Sequence, residues 1–340
     1  MLYTIVKLNP DDLVVSPLTR VACTYCSKFD TNWSCPPVGG FKIDVLLRKL
    51  QKFRNIYMIV FYFPQLYKWF PKNISKNLQW VFTQRLLAVE VFARRKTLTV
   101  LNVIRSRVGN CLIFKTGGAC TKCRTCNYLL GKPCVNPQEL MFSPEACSIN
   151  IYKTLSNFGI PFEHPVRNYV VKVGLVLTND VLNIDKLGID FEYVDFDVLR
   201  KSNIYKLLGI EKRLNLELTS VKRPRFVVLE ERKLVDVISK NVDLISCRDC
   251  RFYKICSLLR ESYENLIKYG QSIHIHICRT ESMSNEALYK IWHRYAQRHT
   301  IALICMNNFV KHRNKYVAIC KKLLHIDLKL GRNEIIILFE

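Results

Sequence analysis

Apolar residues along this chain fall into two patterns, short unbroken runs and longer stretches with helical spacing. The run from Ile56 to Phe63 is apolar throughout, is rich in aromatic and β-branched residues, and ends at Pro64. Such a run predicts a buried strand, and residues 169–177 have the same character. Neither run approaches the roughly 20 apolar residues that a membrane-spanning helix needs, so we expect a soluble protein without a membrane partner.

Between these two strands the spacing of apolar residues predicts helices. Apolar residues recur at helical spacing from Ser75 to about Arg107, which predicts one long helix. A second helix is predicted to begin at Ser143, where a capping serine precedes a proline, and to end at Gly159. The first half of the chain is therefore expected to mix strands with helices.

The second half of the chain also alternates between helical and strand patterns. Strands are predicted over residues 226–229, 273–278, 300–305 and 334–339. Helical segments separate the last three of these strands, which is typical of parallel strands in an α/β layer. A polar stretch around residues 178–186 marks the change from one half to the other.

Cysteines add candidate chemistry, because the chain has 15 of them and most lie in groups. The first group reads Cys120-Thr-Lys-Cys123-Arg-Thr-Cys126, and Cys134 follows shortly after it. Gaps of two residues let three thiolates point at one small volume, which is typical of the ligands of cubane iron–sulfur clusters. Zinc is the alternative metal, although zinc sites more often use two separated Cys-x-x-Cys pairs.

A second group, Cys23, Cys26 and Cys35, brings the first half to seven candidate ligands. Cys35 precedes two prolines, and a Cys-Pro step recurs beside cubane ligands because proline fixes the turn. We therefore expect one or two [4Fe–4S] clusters in this half. Two clusters need an eighth ligand. Cys111 lies in an apolar run that favours a core position, whereas Cys147 fits either a ligand or a core residue.

The second half has its own cysteine group, which consists of Cys247, Cys250 and Cys256. Its fourth ligand could be Cys278, at the end of a predicted strand, and the group would then hold a third cluster. His274 or His276 could instead complete a zinc site of three cysteines and one histidine. The group could also remain open, with the two histidines facing solvent.

These cysteine motifs resemble those of an uncharacterised archaeal and bacterial family of cysteine-rich predicted metal-binding proteins. The matching elements are Cys23-Thr-Tyr-Cys26, Trp33-Ser-Cys35-Pro36-Pro37, Gly118-Ala-Cys120-Thr-Lys-Cys123-Arg-Thr-Cys126, Gly131-Lys-Pro133-Cys134 and Ser143-Pro-Glu145-Ala146. The resemblance covers roughly residues 15–180 and departs from the family pattern at Cys147. It implies metal binding and says little about a reaction.

We therefore predict an α/β fold of two domains, each a small sheet with helices, stapled by cysteine-ligated metal clusters. Residues 1–180 would form a cysteine-rich, iron–sulfur-binding domain, and residues 181–340 an α/β domain with the second cysteine cluster. No segment that resembles a secretory leader precedes the cysteines. We expect the reducing cytoplasm, where clustered cysteines bind metal rather than form disulfides.

Charge introduces a second class of partner, because the formal net charge is +24. The predicted long helix carries Arg94, Arg95, Lys96, Arg105 and Arg107. Such a basic face attracts polyanions, of which nucleic acid is the commonest in cytoplasm. This surface predicts contact with nucleic acid or the ribosome.

Two functions of different class fit these observations. The first is an iron–sulfur protein that acts as a redox or electron-transfer module with a protein partner. The alternative is a protein that binds nucleic acid or the ribosome and uses its metal clusters structurally. The sequence shows no recognisable pair of nucleophile and base and no small-molecule substrate site, so it predicts no particular reaction.

Overall fold

The computed structural model describes most of residues 1–210 and parts of the second half. Its gaps in the first part are residues 24, 25, 27, 65–77, 118, 119, 121, 124, 164, 165, 167 and 184–188. Beyond residue 210 it describes the backbone of four strands and residues 258 and 261. Within residues 78–107, side chains are described from Val89 onward.

Five strands form the first sheet. They are β1 Leu2–Leu8, β2 Asn55–Pro64, β3 Cys111–Lys115, β4 Tyr169–Thr178 and β5 Glu192–Tyr193. Their order is β3-β4-β2-β1-β5, and all neighbouring pairs are antiparallel except β1 with β5. The strands predicted at 56–63 and 169–177 are therefore confirmed, and both lie in the interior of the sheet.

Both faces of this sheet are covered by helices, and the structure describes six α-helices in this part of the chain. They are α1 Pro17–Ala22, α2 Ile43–Leu50, α3 Leu78–Arg107, α4 Ile151–Asn157, α5 Phe196–Lys201 and α6 Ile204–Leu207. The predicted long helix is confirmed over the range of α3, and its predicted start at Ser75 lies outside the described residues. None of the described helices is both long enough and apolar enough to cross a membrane.

The central strand β2 is apolar throughout because both of its faces are covered. One face contributes Ile56, Met58, Val60 and Tyr62 to a core shared with α2 and α4. The other face contributes Tyr57, Ile59, Phe61 and Phe63 to a core shared with α3. Successive residues of a strand point to opposite faces, so the unbroken apolar run reflects a sheet between two layers of helix.

The second half contains a four-stranded sheet. Its strands are β6 Phe226–Lys233, β7 His274–Thr280, β8 Ile301–Cys305 and β9 Glu334–Phe339, in the order β6-β7-β9-β8. The predicted strands are confirmed, but every described pair of this sheet is antiparallel, so the predicted parallel arrangement is wrong. The alternation of histidine and isoleucine in β7 is typical of an antiparallel strand, and helical segments between strands do not exclude that arrangement.

The segment predicted as one helix from Ser143 to Gly159 is interrupted. A 3-10 turn over Glu145–Cys147 ends at Ser148, whose φ of 66° lies in the left-handed region, and α4 begins only at Ile151. A residue with left-handed backbone cannot continue a right-handed helix, so the predicted start is wrong. The predicted end is confirmed, because Gly159 also has a positive φ, of 65°.

Asn150, rather than Ser143, caps the start of α4. Its Oδ1 atom accepts a hydrogen bond from the backbone N–H of Lys153 at 3.1 Å. We expect Asn150→Ala to lower the free energy of unfolding by about 1 kcal/mol, because that N–H loses its partner. Urea denaturation followed by circular dichroism measures the change. Asn157→Ala is the matched control, because Asn157 is exposed in the last turn of α4; equal destabilisation by both variants would argue against the cap.

Residues beyond 180 also belong to the first sheet and its core. β5 pairs with β1, and Leu199 of α5 and Ile204 of α6 are buried against the same core as α2. The fold is mixed α/β, as predicted. The division of the chain at residue 180 stays a prediction, as do the metal clusters that would staple each part.

Candidate metal centre

The first cysteine loop, residues 23–40, begins where α1 ends. At the other end of α1, Ser16 Oγ accepts a hydrogen bond from the backbone N–H of Leu18 at 3.2 Å and so caps the helix. The Cys23 carbonyl accepts a hydrogen bond from the backbone N–H of Cys26 at 2.9 Å. The first two cysteines therefore lie on one tight turn at the end of a capped helix.

Cys35 is held by a compact turn in the same loop. The Asn32 Oδ1 atom accepts hydrogen bonds from the backbone N–H and the hydroxyl of Ser34, at 3.0 and 2.6 Å. The Cys35 carbonyl accepts a further hydrogen bond from the backbone N–H of Gly39 at 2.7 Å. The intervening Pro36–Pro37 peptide is cis. Together these contacts close the chain around Cys35.

Arg20 of α1 supports this turn. Its side chain donates hydrogen bonds to the carbonyls of Pro37 and Gly39 at 3.2 and 3.5 Å, and the residue is only 3% exposed. The same guanidinium pairs with the carboxylate of Glu261 at 2.6 Å, and Lys42 reaches the other oxygen of that carboxylate at 3.1 Å. The carboxylate compensates a buried cation that would be costly to leave unpaired.

The second cysteine loop, residues 116–136, docks on the first. The backbone N–H of Cys120 donates a hydrogen bond to Ser34 Oγ at 2.8 Å, which joins positions 86 residues apart in the chain. The Trp33 indole N–H donates to the carbonyl of Lys132 at 3.1 Å. These bonds place the cysteines of both loops in one region of the surface.

Aromatic contacts strengthen the docking of the two loops. The ring of Trp33 packs edge-on against the ring of Tyr128, with 5.2 Å between the centroids. The Tyr128 hydroxyl donates a hydrogen bond to the carboxylate of Asp30. Trp33 and Asp30 belong to the first loop and Tyr128 to the second, so one side chain of the second loop contacts two residues of the first.

The sulfurs of Cys26 and Cys123 each accept a hydrogen bond from a nearby N–H group. The backbone N–H of Lys28 donates to Cys26 Sγ at 3.4 Å, and the Asn136 side-chain amide donates to Cys123 Sγ at 3.6 Å. Such donors stabilise a thiolate and orient it. They identify Cys26 and Cys123 as sulfurs whose surroundings suit metal ligands.

Burial and nearby negative charge oppose ionisation of two thiols in the first loop, Cys23 and Cys35. Burial raises the pKa of Cys23 well above its ordinary value, and the Glu145 carboxylate and the Cys35 and Cys26 thiolates raise it further. Burial also raises the pKa of Cys35, against hydrogen bonds that lower it. A bound metal cation would offset the negative charge of these neighbouring sulfurs and so favour their thiolate form.

A buried lysine lies next to the cysteines of both loops. Burial, together with the neighbouring Arg94 guanidinium, lowers the pKa of Lys115 to about 8. The thiolates of Cys120 and Cys35 act on Lys115 in the opposite direction, as does the carboxylate of Glu145. Lys115 is therefore a positive charge placed where thiolates from both loops can interact with it.

The donor set of the two loops is made of thiols. Its members are Cys23, Cys26, Cys35, Cys120, Cys123, Cys126 and Cys134, all free and all at least partly accessible. Thiolates suit iron–sulfur clusters and zinc, so the residues present fit either. Among the residues that the structure describes, no three side chains of Cys, His, Asp or Glu are close enough to hold one metal ion. The docked loops place the Cys35 turn beside Cys120, and the assignment of these seven cysteines as metal ligands stays a prediction.

Residues 6–178 match the model of a family described as "Predicted metal-binding protein (DUF2284)". The chain belongs to this family. The match runs from β1 to the end of β4 and contains both cysteine loops, so the predicted membership of a metal-binding family is confirmed. No curated protein and no solved structure matches the chain.

The two candidates for an eighth ligand lie outside both loops of this DUF2284 protein. Cys147 is completely buried in the core that β2 shares with α2, and burial raises its pKa. Cys111 is the first residue of β3, and its thiol donates a hydrogen bond to the carbonyl of Val108 at 3.7 Å. An eighth cysteine ligand in this half of the chain stays a prediction.

The cysteine group of the second half falls outside the matched residues of the DUF2284 family. Its members Cys247, Cys250 and Cys256 also lie outside the described residues. Cys278 lies within β7, opposite Val228 of β6 and Ile335 of β9. His274 and His276 lie on the same strand, so the choice of a fourth ligand stays open.

The five basic residues of α3 differ in exposure. Arg95 and Arg107 are exposed, whereas Arg94, Lys96 and Arg105 are half-buried. Arg105 donates a hydrogen bond to the carbonyl of Gln138 at 3.3 Å, and Arg94 lies near Cys120. Part of this basic group therefore faces the second cysteine loop of the DUF2284 protein. Binding of nucleic acid by these residues stays a prediction.

Sequence reasoning missed three charged residues that surround the loop cysteines of this DUF2284 protein. They are Arg20, Lys115 and Glu145. Two of them carry a signal in the sequence: Lys115 ends an apolar strand, and Arg20 lies three residues, or about one helical turn, before Cys23. Glu145 belongs to a family motif, but nothing local indicates that it lies near Cys23.

Proposed function

We propose that the first half of this chain binds an iron–sulfur cluster and transfers electrons to or from a protein partner. The ligands would come from the seven loop cysteines, and the reducing cytoplasm would keep them as thiols. Membership of a predicted metal-binding family supports a metal, and the Cys-x2-Cys-x2-Cys run supports a cubane cluster rather than zinc.

The observation that carries this proposal is the docking of the two cysteine loops. The turn that holds Cys35 includes Ser34, whose Oγ accepts a hydrogen bond from the backbone N–H of Cys120. This hydrogen bond places that turn against the start of the Cys-x2-Cys-x2-Cys run. Candidate ligands that are far apart in sequence but close together in the fold favour one shared metal site. Inert core thiols would have no reason to lie on partly accessible, hydrogen-bonded loops.

A bound cluster would supply reversible one-electron chemistry, and the chain's own residues would tune it. The Asn136 amide already donates to Cys123 Sγ, and the Lys28 amide to Cys26 Sγ. Hydrogen bonds to ligand sulfur and nearby positive charge both favour the more negative, reduced state. Lys115 and Arg94 provide that charge beside Cys120.

Anaerobic purification tests the proposal directly. We expect a brown protein that contains iron and acid-labile sulfide in comparable amounts, because cubane clusters contain both. Iron, sulfide and zinc analysis of the same sample, with electron paramagnetic resonance after dithionite reduction, makes the measurement. Stoichiometric zinc without sulfide would overturn the cluster.

The redox role has its own criterion. A cluster that dithionite bleaches and that recovers on mild oxidation supports electron transfer, because a transfer centre must cycle between two stable states. A cluster that resists reduction down to the potential of dithionite would refute the redox role and leave a structural metal.

A further inference from the structure

A cavity of about 410 Å³ lies between α3 and the second cysteine loop. Its wall includes Arg95, Thr99 and Asn102 from α3, and Lys115 and Cys120 from the end of β3 and the loop that follows. Ligand pockets commonly have volumes of roughly 300–1,000 Å³, so this cavity has room for a small organic molecule.

The charged residues of the cavity wall favour an anion. Arg95, Lys115 and Lys122 line the cavity, and the acidic residue among its described lining residues is Glu139. Lys122 and Glu139 form an ion pair at 2.5 Å, so their charges offset each other. Cys120 also lines the cavity and would add one negative charge as a thiolate. Three cations therefore face at most two anions among the described lining residues, which leaves this wall positive.

Lys115 and Arg95, the other two cations of the cavity wall, differ in their exposure to solvent. Lys115 is only 2% exposed, whereas Arg95 is exposed on α3. A ligand in the cavity could therefore meet a cation at its inner end and another near the opening. Attraction between charges is stronger where protein excludes water, so the inner position favours a compact anionic group.

An apolar patch completes the cavity. Leu98 of α3 and Met141 line it next to the polar residues, and Met141 is 3% exposed. A thioether side chain adapts its shape to a range of apolar groups. The wall therefore suits a ligand that combines an anionic group with a small apolar body.

We propose that this cavity binds a small organic anion, a carboxylate or a phosphate monoester, beside Cys120. Its anionic group would pair with Arg95 and Lys115, and its apolar body would pack on Leu98 and Met141. Electron transfer needs no such ligand, so the proposal goes beyond the proposed function. It also holds whichever metal the cysteines bind, because it rests on the cavity wall.

Three probes of similar size test the chemistry of this cavity: phenyl phosphate, benzoate and the neutral benzamide. Each is titrated against the full chain, purified anaerobically, and followed by saturation-transfer NMR. We expect at least one anion to bind about tenfold more tightly than benzamide, because charge-assisted hydrogen bonds distinguish them. The preferred anion identifies the phosphate or carboxylate class. Equal affinity for all three probes would overturn the proposal.

Variants with opposite expected signs locate the binding. Arg95→Gln should weaken binding of the preferred anion about tenfold, because it removes one charged donor. Glu139→Gln should strengthen it about threefold, because it removes the acidic group and releases Lys122. General damage to the fold cannot produce both changes.

Arg107→Gln is the matched control, because Arg107 is exposed on the same helix and does not line the cavity. It should leave the affinity unchanged. Equal weakening by Arg95→Gln and Arg107→Gln would refute the cavity and indicate a diffuse basic surface, such as one for nucleic acid. Metal analysis of the same samples keeps the two proposals separate, since zinc in place of iron and sulfide would not affect the anion result.

Discussion

Replacing Cys123 by serine should remove most of the bound iron and sulfide and lower the melting temperature by about 10 °C. Cys123 is the middle cysteine of the Cys-x2-Cys-x2-Cys run, and its sulfur already accepts a hydrogen bond from Asn136. Metal binding and folding are coupled when a protein must bring its ligands together, so a lost ligand also costs stability. Iron and sulfide analysis and calorimetric melting measure the two effects.

Cys111→Ser makes the same chemical change at a cysteine outside both loops. Cys111 lies at the start of β3 and is half-buried, as Cys123 is. This variant should retain its iron and sulfide. Full metal content in both variants would show that Cys123 is not a ligand, and loss of metal from both would make Cys111 a candidate for the eighth.

Gly39→Ala should destabilise the protein by about 3 kcal/mol and release metal, because the first cysteine loop has no space for a side chain there. A Cβ atom at Gly39 would lie 2.5 Å from the backbone nitrogen of Cys35 and 2.5 Å from the carbonyl oxygen of Trp33. These are backbone atoms, so the turn that holds Cys35 would have to open. Denaturant unfolding and metal analysis measure the two consequences.

Gly109→Ala is the matched control for that substitution. A Cβ atom at Gly109 would meet no atom within 4 Å. We expect its stability to change by less than about 0.5 kcal/mol and its metal content to stay the same. Similar losses in the two variants would mean that the tight turn at Gly39 does not position Cys35.

The strands could be predicted from the sequence because burial leaves a local signal. The run from Ile56 to Phe63 is apolar on every residue, and it is indeed covered on both faces. Strand direction in the second sheet could not be predicted in the same way, because it depends on which strands become neighbours. The isoleucine–histidine alternation in β7 carried the better signal.

The cysteine groups were visible in the sequence, but their arrangement was not. The hydrogen bond between Cys120 and Ser34 joins loops that no local pattern connects. Lys115 was missed although it ends an apolar strand, since a lysine at a strand end usually reaches solvent. The cavity could not be predicted from the sequence either, because the sequence does not show which basic residues of α3 face the second cysteine loop.

The ion pair between Arg20 and Glu261 has a consequence for dissecting this protein. Arg20 holds the carbonyls of Pro37 and Gly39, and its compensating carboxylate comes from the second half of the chain. A shortened chain that ends near residue 210 would keep the buried cation and lose its counter-ion, at a cost of roughly 3–5 kcal/mol. Weak metal retention by such a fragment would then report the truncation rather than the affinity of the native loops.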